Sequence, residues 1–283
     1  MSSAAAMGYA AGIHLDIVVY SSIFIFMMPA LSESARYDSG AQIQRTHRGL
    51  ILYDPELVDQ PQSHLFDPEW IQVRGRVESV AASGRGEAWF VDLGEQHWVL
   101  RHYLRGGQVA KFNKQYYVGC HAGRSRAWRE WRLLSRLHDE FQLPVPRPVA
   151  ARIDWPYSYA PFLYQASIMI QRIPGARTLA RMISDHALDD SLWQAVGTCI
   201  RRFHDRGVFH ADLNANNILF DIDNRVYLID FDKGDIRGDG PWKQSNLDRL
   251  HRSLEKIGMQ NPGFPFNAEH WQQLLAGYRS LED

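Results

Sequence analysis

The sequence predicts an α+β protein whose first half forms an antiparallel sheet with one helix and whose second half is mainly helical. Short β-type runs separated by turn residues dominate the stretch that follows residue 70. Apolar residues at helical spacing come next, between residues 124 and 141. Past residue 190 the helical pattern prevails, interrupted by one short hairpin rich in Asp and Asn.

The composition is that of an ordinary soluble protein. The chain has 283 residues, of which 45% are hydrophobic and 22% charged, and this suits one large domain or two lobes. The formal net charge of -1 excludes a globally basic or acidic protein, so any attraction to anions must come from local patches. Cys120 and Cys199 lack metal-ligand spacing, which favours two reduced thiols in the cytosol and no zinc site.

The first 40 residues contain one apolar run, from Ile17 to Leu31. It is shorter than the roughly 20 residues that a helix needs to span a bilayer. No Lys or Arg precedes Arg36, so the basic start of a signal peptide is absent. We therefore interpret residues 1–27 as a non-native extension or a disordered segment, with the native start at Met27 or Met28. A membrane-associating anchor is the alternative.

A glycine hairpin is the first clear element. The segment "ESVAASGRGEAWFVDLGEQHWVLRHY" alternates β-type runs with turn residues and sets Gly84, Arg85 and Gly86 between two of the runs. Glycines at such a turn allow the backbone to approach a ligand closely. An ordinary hairpin without a ligand has the same pattern.

An amphipathic helix follows the hairpin, between Arg124 and Phe141. Its apolar positions recur every three or four residues: Trp128, Trp131, Leu134, Leu137 and Phe141. The prolines of "QLPVPRPVAARI" end this helix and lead into a strand, "YQASIMIQRI". The segment "PGARTL" then turns toward the helical part of the chain.

The second half opens with a helix in "SLWQAVGTCIRRFHDRG". Apolar residues at Leu192, Val196, Ile200 and Phe203 mark its buried face, and Gly207 closes it. A polar loop and a hairpin follow at once.

Residues 209–232 hold five Asp and four Asn among apolar runs. Carboxylates in apolar surroundings are tolerated only when they are paired, hydrogen-bonded or bound to a cation. A turn at residues 221–224 brings Asp230 back beside the loop that carries Asp212 and Asn217. The sequence therefore predicts three oxygen-bearing side chains converging on a shared polar ligand, such as a metal with phosphate.

The loop "HADLNANN" resembles the catalytic loop of protein kinases at His210, Asp212, Leu213 and Asn217. The segment "IDFD" stands where these enzymes have Asp-Phe-Gly. This resemblance implies a two-lobed protein-kinase-like fold that uses ATP and Mg²⁺. It assigns catalytic roles to His210, Asp212 and Asn217, with Asp212 as the base, and metal binding to Asn217 and Asp230.

The same resemblance implies where the lobes lie. Residues 28–173 would form the N-terminal lobe with the nucleotide-covering loop, and residues 174–283 the C-terminal lobe with the catalytic loop. Within the first lobe, residues 84–86 would cover the nucleotide.

A buried pair in the N-terminal lobe is a further implication. Glu130 would be the helix glutamate, and its cationic partner would lie on the preceding strand. The usual Val-Ala-Ile-Lys is absent. Arg101 continues the β pattern after the glycine hairpin, whereas Lys111 spells the familiar motif but follows two glycines. We therefore favour Arg101 as the partner of Glu130 and as the phosphate-binding cation, with Lys111 as the alternative.

Longer segments narrow the resemblance to the bacterial lipopolysaccharide-core kinases, most closely to the 3-deoxy-D-manno-octulosonic acid (Kdo) kinases among them. These segments are "LRHYLRGGQVAKFNKQYYV", "REWRLL", "LPVPRPVAARI", "HADLNANNILFD", "IDFDKGD" and "KQSNLDRLHRSLEK". The resemblance runs from about residue 45 to the end. It implies transfer of the γ-phosphate of ATP to the 4-hydroxyl of Kdo on a lipid A precursor, by a peripheral protein at the cytoplasmic face of the inner membrane.

The stretch from His97 to Arg136 is basic and aromatic. It contains nine Lys or Arg residues, seven aromatic residues and a single acidic residue, Glu130. Such a surface would attract an anionic membrane at about 1 kcal/mol per basic residue. The alternative is a solvated helix face over an aromatic core. No nucleic-acid-binding module is recognisable, and no obligate protein partner is inferred.

Two alternative activities stay open at this point. His210, Asp212 and a distant histidine such as His251 could form the two-histidine, one-carboxylate site of a non-haem iron oxygenase, although those enzymes are β-barrels. An aminoglycoside or small-sugar phosphotransferase would share both His-x-Asp and "IDFD". Its chemistry would be the same, so only the acceptor distinguishes it.

Overall fold

The computed structural model describes residues 40–80, 88–103, 116–118, 121–157, 163–185, 188–261 and 263–280. The predicted extension at residues 1–27 and the glycine turn at residues 84–86 lie outside the described residues. So do Lys111 and Cys120.

An antiparallel sheet forms the first half of the protein, as the sequence predicted. Its strands are β1 (Gln42–Arg45), β2 (Gly49–Tyr53), β3 (Arg76–Val80), β4 (Ala88–Leu93), β5 (Gln96–His102), β6 (Tyr117–Val118), β7 (Pro148–Asp154) and β8 (Leu163–Gln171). Their spatial order is β1-β2-β7-β8-β5-β4-β3, and β6 pairs with one end of β8. A short helix, α1 (Pro68–Gln72), connects β2 to β3.

Strand β5 is central, and its two faces meet different parts of the core. Successive side chains of a strand point to opposite faces. Trp98 and Leu100 are buried in the cluster that includes Ile71 of α1. Val99 packs against the main core on the other side, and Arg101 therefore lies on that side too.

The predicted helix at residues 124–141 is present in three consecutive parts. Residues 122–124 form a 3-10 turn, α2 spans Arg126–Ser135, and a π-helical turn continues from Arg136 to Glu140. The Ser125 hydroxyl accepts a hydrogen bond from the Trp128 N–H and so begins α2. The predicted apolar face is buried, and Glu130 is buried with it.

Four of the seven aromatic residues of the basic stretch belong to the core. Trp98, Tyr103, Trp128 and Trp131 are all buried in the core. The arginines at the outer face of α2 therefore lie over an aromatic core, which is the alternative arrangement that the sequence left open.

The second half is mainly helical, as predicted. Its helices are α3 (Leu179–Ser184), α4 (Asp190–Asp205), α5 (Trp242–Gln260) and α6 (Ala268–Arg279). The hairpin consists of β11 (Ile218–Phe220) and β12 (Val226–Leu228), with β9 (Arg177–Thr178) beside β11; β10 (Val208–Phe209) pairs with β13 (Asp235–Ile236). Among the described helices, none combines the length and the apolar character needed to cross a bilayer.

Helix α4 delivers the chain to the polar loop. The Asp189 carboxylate caps its first turn by accepting from the Leu192 N–H. Gly207 closes it with a φ of +71°, and a Cβ there would lie 2.3 Å from the Arg237 carbonyl oxygen. The predicted stop at Gly207 is confirmed, because only glycine fits this conformation and this contact.

Helices α4 and α6 cross at two glycines. A Cβ at Gly197 would lie 1.9 Å from the Leu274 carbonyl oxygen, and one at Gly277 would lie 2.0 Å from that of Gln194. The backbones therefore touch at the crossing, which fixes α4 and the loop that follows it.

Replacing Gly277 with alanine should destabilise the protein although alanine favours helix. Displacing the packed backbone of α4 should cost about 1 to 3 kcal/mol or more, which exceeds the gain in helix propensity of about 1 kcal/mol. Gly258→Ala on α5 is the matched control, since its Cβ would contact only Phe264, at 3.9 Å. Urea unfolding should show Gly277→Ala less stable than the wild type and Gly258→Ala equally or more stable. Equal stability of the two variants would contradict the close backbone contact of α4 and α6 at Gly277.

Candidate active site

His210 organises the polar loop from beneath. Its imidazole Nε2 donates to the Ile229 carbonyl at 2.8 Å, and its Nδ1 accepts from the Asp212 N–H at 3.1 Å. Burial lowers the pKa of His210, which keeps the ring in the neutral form that these two bonds require. His210 therefore joins the loop to the strand end that precedes Asp230.

Asp212 stands at the head of this loop, with Asn217 close by. The amides of Asn214 and Asn217 both donate to the Asp212 backbone carbonyl, at 3.0 and 2.9 Å. These bonds fix the peptide that carries the Asp212 side chain. They also use the Nδ2 atom of Asn217, so the side-chain oxygen Oδ1 is the atom left to face a cation.

Asp230 follows the hairpin and returns to the same place. The Ile229 N–H donates to the Asn217 carbonyl at 3.0 Å, which sets Asp230 beside the loop. Asp230 has a φ of +66°, an uncommon conformation for a residue other than glycine. Phe231 is buried against the rings of His210 and Phe203, so the backbone turn is anchored on both sides. These contacts bring the segment that carries Asp230 next to Asn217, which in turn hydrogen-bonds to the Asp212 carbonyl.

Arg101 connects the sheet, helix α2 and Asp230. Its guanidinium donates to Glu130 Oε1 at 3.2 Å and to Asp230 Oδ1 at 2.8 Å. The Tyr103 hydroxyl donates to the other oxygen of Glu130. The predicted Arg101–Glu130 pair is thus present, and Asp230 is a second partner that the sequence did not indicate.

Electrostatics keep Arg101 charged within this cluster. Burial alone would lower the pKa of Arg101, but the charges of Glu130 and Asp230 outweigh burial and raise it. Burial raises the pKa of Glu130, and the charge of Arg101 opposes that shift. The arginine is therefore a permanent cation at the junction.

A second ion pair joins α2 to the segment after Asp230. Arg126 donates from Nε to Asp232 Oδ1 at 2.9 Å, and its Nη2 also contacts Asp232. Its Nη1 donates to the Tyr117 hydroxyl at 2.8 Å. Asp232 is the last residue of "IDFD", and its partner was not predicted because nothing in the spacing of these residues joins them.

Arg249 on α5 contacts Asp212 directly. Its Nε donates to Asp212 Oδ1 at 2.9 Å, and its Nη2 donates to the same oxygen. The segment "KQSNLDRLHRSLEK" had been used only for the resemblance, so sequence reasoning missed this residue.

The alternative iron site is not formed in the described part of the chain. Both ring nitrogens of His210 bind backbone groups, while His251 lies against Trp271 and Glu255. Within the described residues, no three His, Cys, Asp or Glu side chains are grouped closely enough to hold a metal. Cys199 is buried on α4, with its sulfur 3.6 Å from the Val226 carbonyl, in agreement with the predicted reduced thiol.

Comparison with protein families distinguishes among the enzymes that share this loop. The family described as lipopolysaccharide kinase (Kdo/WaaP) matches residues 69–278. The chain belongs to this family. It is therefore an ATP-dependent kinase. The predicted α+β fold class is confirmed by the antiparallel sheet of the first half and the helices of the second.

Individual members of the Kdo/WaaP family are similar over most of the chain. A "3-deoxy-D-manno-octulosonic acid kinase" of Xanthomonas euvesicatoria pv. vesicatoria (strain 85-10) is 44% identical over 74% of this chain and 81% of its own length. One of Vibrio vulnificus (strain YJ016) is 38% identical over 84% and 98%. The co-crystal structure of WbdD and kinase inhibitor LY294002 is similar at 14% identity and a TM-score of 0.38, over 72% of this chain and 44% of that one.

The lowered pKa of His210 predicts how stability depends on pH. Below the unfolded-state value of about 6.5, the unfolded chain takes up a proton that the folded chain resists, so stability falls as pH falls. Each such histidine contributes a slope of at most about 1.4 kcal/mol per pH unit. Because burial likewise lowers the pKa of His102 and His204, each to about 4, the wild type should weaken steadily below pH 6.5.

His210→Gln should make the dependence of stability on pH shallower, because it removes one of the buried histidines that resist protonation in the folded protein. Urea unfolding at several pH values between 7.5 and 5 measures the slope. His47→Gln, at an exposed position, is the matched control and should keep the wild-type slope. If the slope of stability against pH is unchanged in His210→Gln, His210 is not a buried histidine that stays neutral in the folded protein.

Proposed function

We propose that this kinase transfers the γ-phosphate of ATP to the 4-hydroxyl of Kdo on a Kdo-bearing lipid A precursor. The observation that supports the proposal is the set of contacts that joins Asn217 to the Asp212 carbonyl and Arg101 to both Glu130 and Asp230. The choice of acceptor rests on the family and on the names of the similar kinases.

Asp212 is the proposed base. Its carboxylate accepts the proton of the acceptor hydroxyl while the hydroxyl oxygen forms a bond to the γ-phosphorus. The bond from that phosphorus to the bridging oxygen breaks at the same time, and ADP leaves. The hydrogen bonds from Asn214 and Asn217 to the Asp212 carbonyl hold the carboxylate in line for this transfer.

Asn217 and Asp230 are the proposed ligands of Mg²⁺. Both present oxygen atoms, the ligand type that this cation prefers, and the amide nitrogen of Asn217 is already turned toward Asp212. The bound cation would stabilise negative charge on the phosphates.

Arg101 is the proposed phosphate-binding cation of the N-terminal lobe. Its guanidinium forms ion pairs with Glu130 and with Asp230, and Asp230 is a proposed ligand of the metal. Residues 84–86 are proposed to cover the nucleotide, since β3 and β4 pair on either side of them. Lobe boundaries at residues 28–173 and 174–283 are part of the same proposal.

The reaction is proposed to take place at the cytoplasmic face of the inner membrane, on a peripheral protein. A lipid-linked acceptor requires contact with a membrane surface. Arg129 on α2 and Arg124 and Arg136 in the turns that flank it are exposed and would attract anionic headgroups there.

The decisive experiment is incubation of the protein with labelled ATP, Mg²⁺ and one acceptor at a time, followed by location of the phosphate on the product. The expected product carries phosphate at the 4-hydroxyl of Kdo in the lipid A precursor. Transfer to a soluble sugar or an aminoglycoside in preference to this acceptor would refute the proposal.

Asp212→Asn should lower kcat by about 10²- to 10⁴-fold with little change in ATP affinity, because the amide cannot take up the proton. Asp230→Ala should instead abolish productive binding of the Mg²⁺–nucleotide. The matched control is Asp223→Asn, at the exposed tip of the hairpin, which should keep wild-type turnover. Near-wild-type turnover in Asp212→Asn would rule out the assigned base.

Arg101→Ala should raise the reaction barrier by about 3 to 4 kcal/mol, as for other preorganised groups that stabilise a transition state. Turnover of Arg101→Ala and Lys111→Ala at saturating acceptor provides the comparison. Circular dichroism should accompany it, since the removal of Arg101 also leaves Glu130 without its cation. The assignment is wrong if Lys111→Ala abolishes turnover and folded Arg101→Ala retains it.

A further inference from the structure

Arg249 is held rigidly beside Asp212 by the helix that carries it. One turn before it, Asn246 donates to the His210 carbonyl at 2.9 Å and accepts from the His210 N–H at 3.2 Å. One turn after it, the Ser253 hydroxyl accepts from the Ala215 N–H at 3.4 Å. Helix α5 is thus bonded to the loop on both sides of Arg249, so the backbone that carries Arg249 is fixed relative to the loop that carries Asp212.

The pair is nevertheless open to a ligand. The Arg249 side chain is 48% exposed and that of Asp212 is 50% exposed. Both bonds from Arg249 use a single oxygen of Asp212. In the described part of the chain, Nη1 of Arg249 has no partner. Because the guanidinium is planar and rigid, this remaining donor lies next to the base, on a side chain that is half exposed.

Simple positioning accounts poorly for a cation at this place. Its two bonds to a single oxygen of Asp212 leave part of the donor capacity of the guanidinium unused beside the base. An anionic group on the acceptor would accept from these remaining donors.

We propose that Arg249 forms a subsite for the carboxylate of the acceptor and thereby selects acidic sugars. This inference rests on the proposed function for the identity of the acceptor. In 3-deoxy-octulosonic acid, two carbons separate the carboxyl carbon from the carbon that bears the 4-hydroxyl. When the 4-hydroxyl lies at Asp212, the carboxylate of the same sugar is therefore within reach of the adjacent Arg249 guanidinium. The parallel N–H groups of a guanidinium match the two oxygens of a carboxylate.

The test compares two acceptors that differ in one charge: the Kdo-bearing lipid A precursor and the same molecule with its Kdo carboxyl converted to the carboxamide. For the wild type, kcat/KM should be roughly 10- to 100-fold higher for the acid, the range for one charge-assisted interaction. Arg249→Ala should remove this preference. Arg252→Ala, another exposed arginine of α5, is the matched control and should keep it.

The ratio between the two acceptors isolates the subsite from other effects of the substitution. A positioning role alone would lower kcat equally for acid and amide and leave their ratio unchanged, which would overturn the inference. A wild type without preference for the acid would overturn it as well. If Arg249 recognised a lipid A phosphate instead, Arg249→Ala would lower kcat/KM equally for both acceptors. That loss would disappear with a dephosphorylated precursor, and the ratio between acid and amide would again be unchanged.

Failure of the proposed function gives a different result. If the wild type phosphorylates neither acceptor, the proposed acceptor is wrong, and equilibrium binding then decides whether the subsite exists. Calorimetry with ADP present would compare free Kdo with its carboxamide on the intact protein. Tighter binding of the acid that Arg249→Ala removes supports the subsite, and equal binding of the two refutes it.

Discussion

The ionic contact of Arg101 with Glu130 and Asp230 is the interaction on which the arrangement of the site depends. It joins a central strand, helix α2 and the segment that follows the β11–β12 hairpin. A mostly buried guanidinium requires partners, and removal of one leaves an uncompensated charge that can cost about 3 to 5 kcal/mol. The three elements are therefore held in one register by an electrostatic requirement, and the apolar packing around them completes the structure.

Hydrogen bonds to the backbone perform the same task within the second half. His210 joins two chain segments through its two ring nitrogens, and Asn246 attaches helix α5 to the same residue. The close contact of α4 and α6 at Gly197 and Gly277 fixes the helix that precedes the polar loop. These hydrogen bonds hold the polar loop in one position relative to the neighbouring segments, and catalysis requires such preorganisation.

The sequence predicted those parts of the structure whose signal is local. The family resemblance implied a cationic partner for Glu130, and the β pattern after the glycine hairpin favoured Arg101 over Lys111. The contact of Arg101 with Glu130 is present. The turn at residues 221–224 likewise indicated where Asp230 would return. The partners of Arg126 and Arg249 could not be predicted, because ion pairs across 106 and 37 residues leave no periodic trace. The burial of Trp128 and Trp131 was predictable, because their spacing of three residues places both on the apolar face of the helix.

An arginine rather than a lysine at the junction limits how this protein can be controlled. Its neighbours raise the pKa of Arg101 further above an already high ordinary value, so the group has no neutral form while the protein is folded. Lysine acetylation, which can silence a charge reversibly, has no target at this position. Amine-directed reagents would leave the junction intact for the same reason. Regulation of this kinase by covalent modification would therefore have to act elsewhere in the chain.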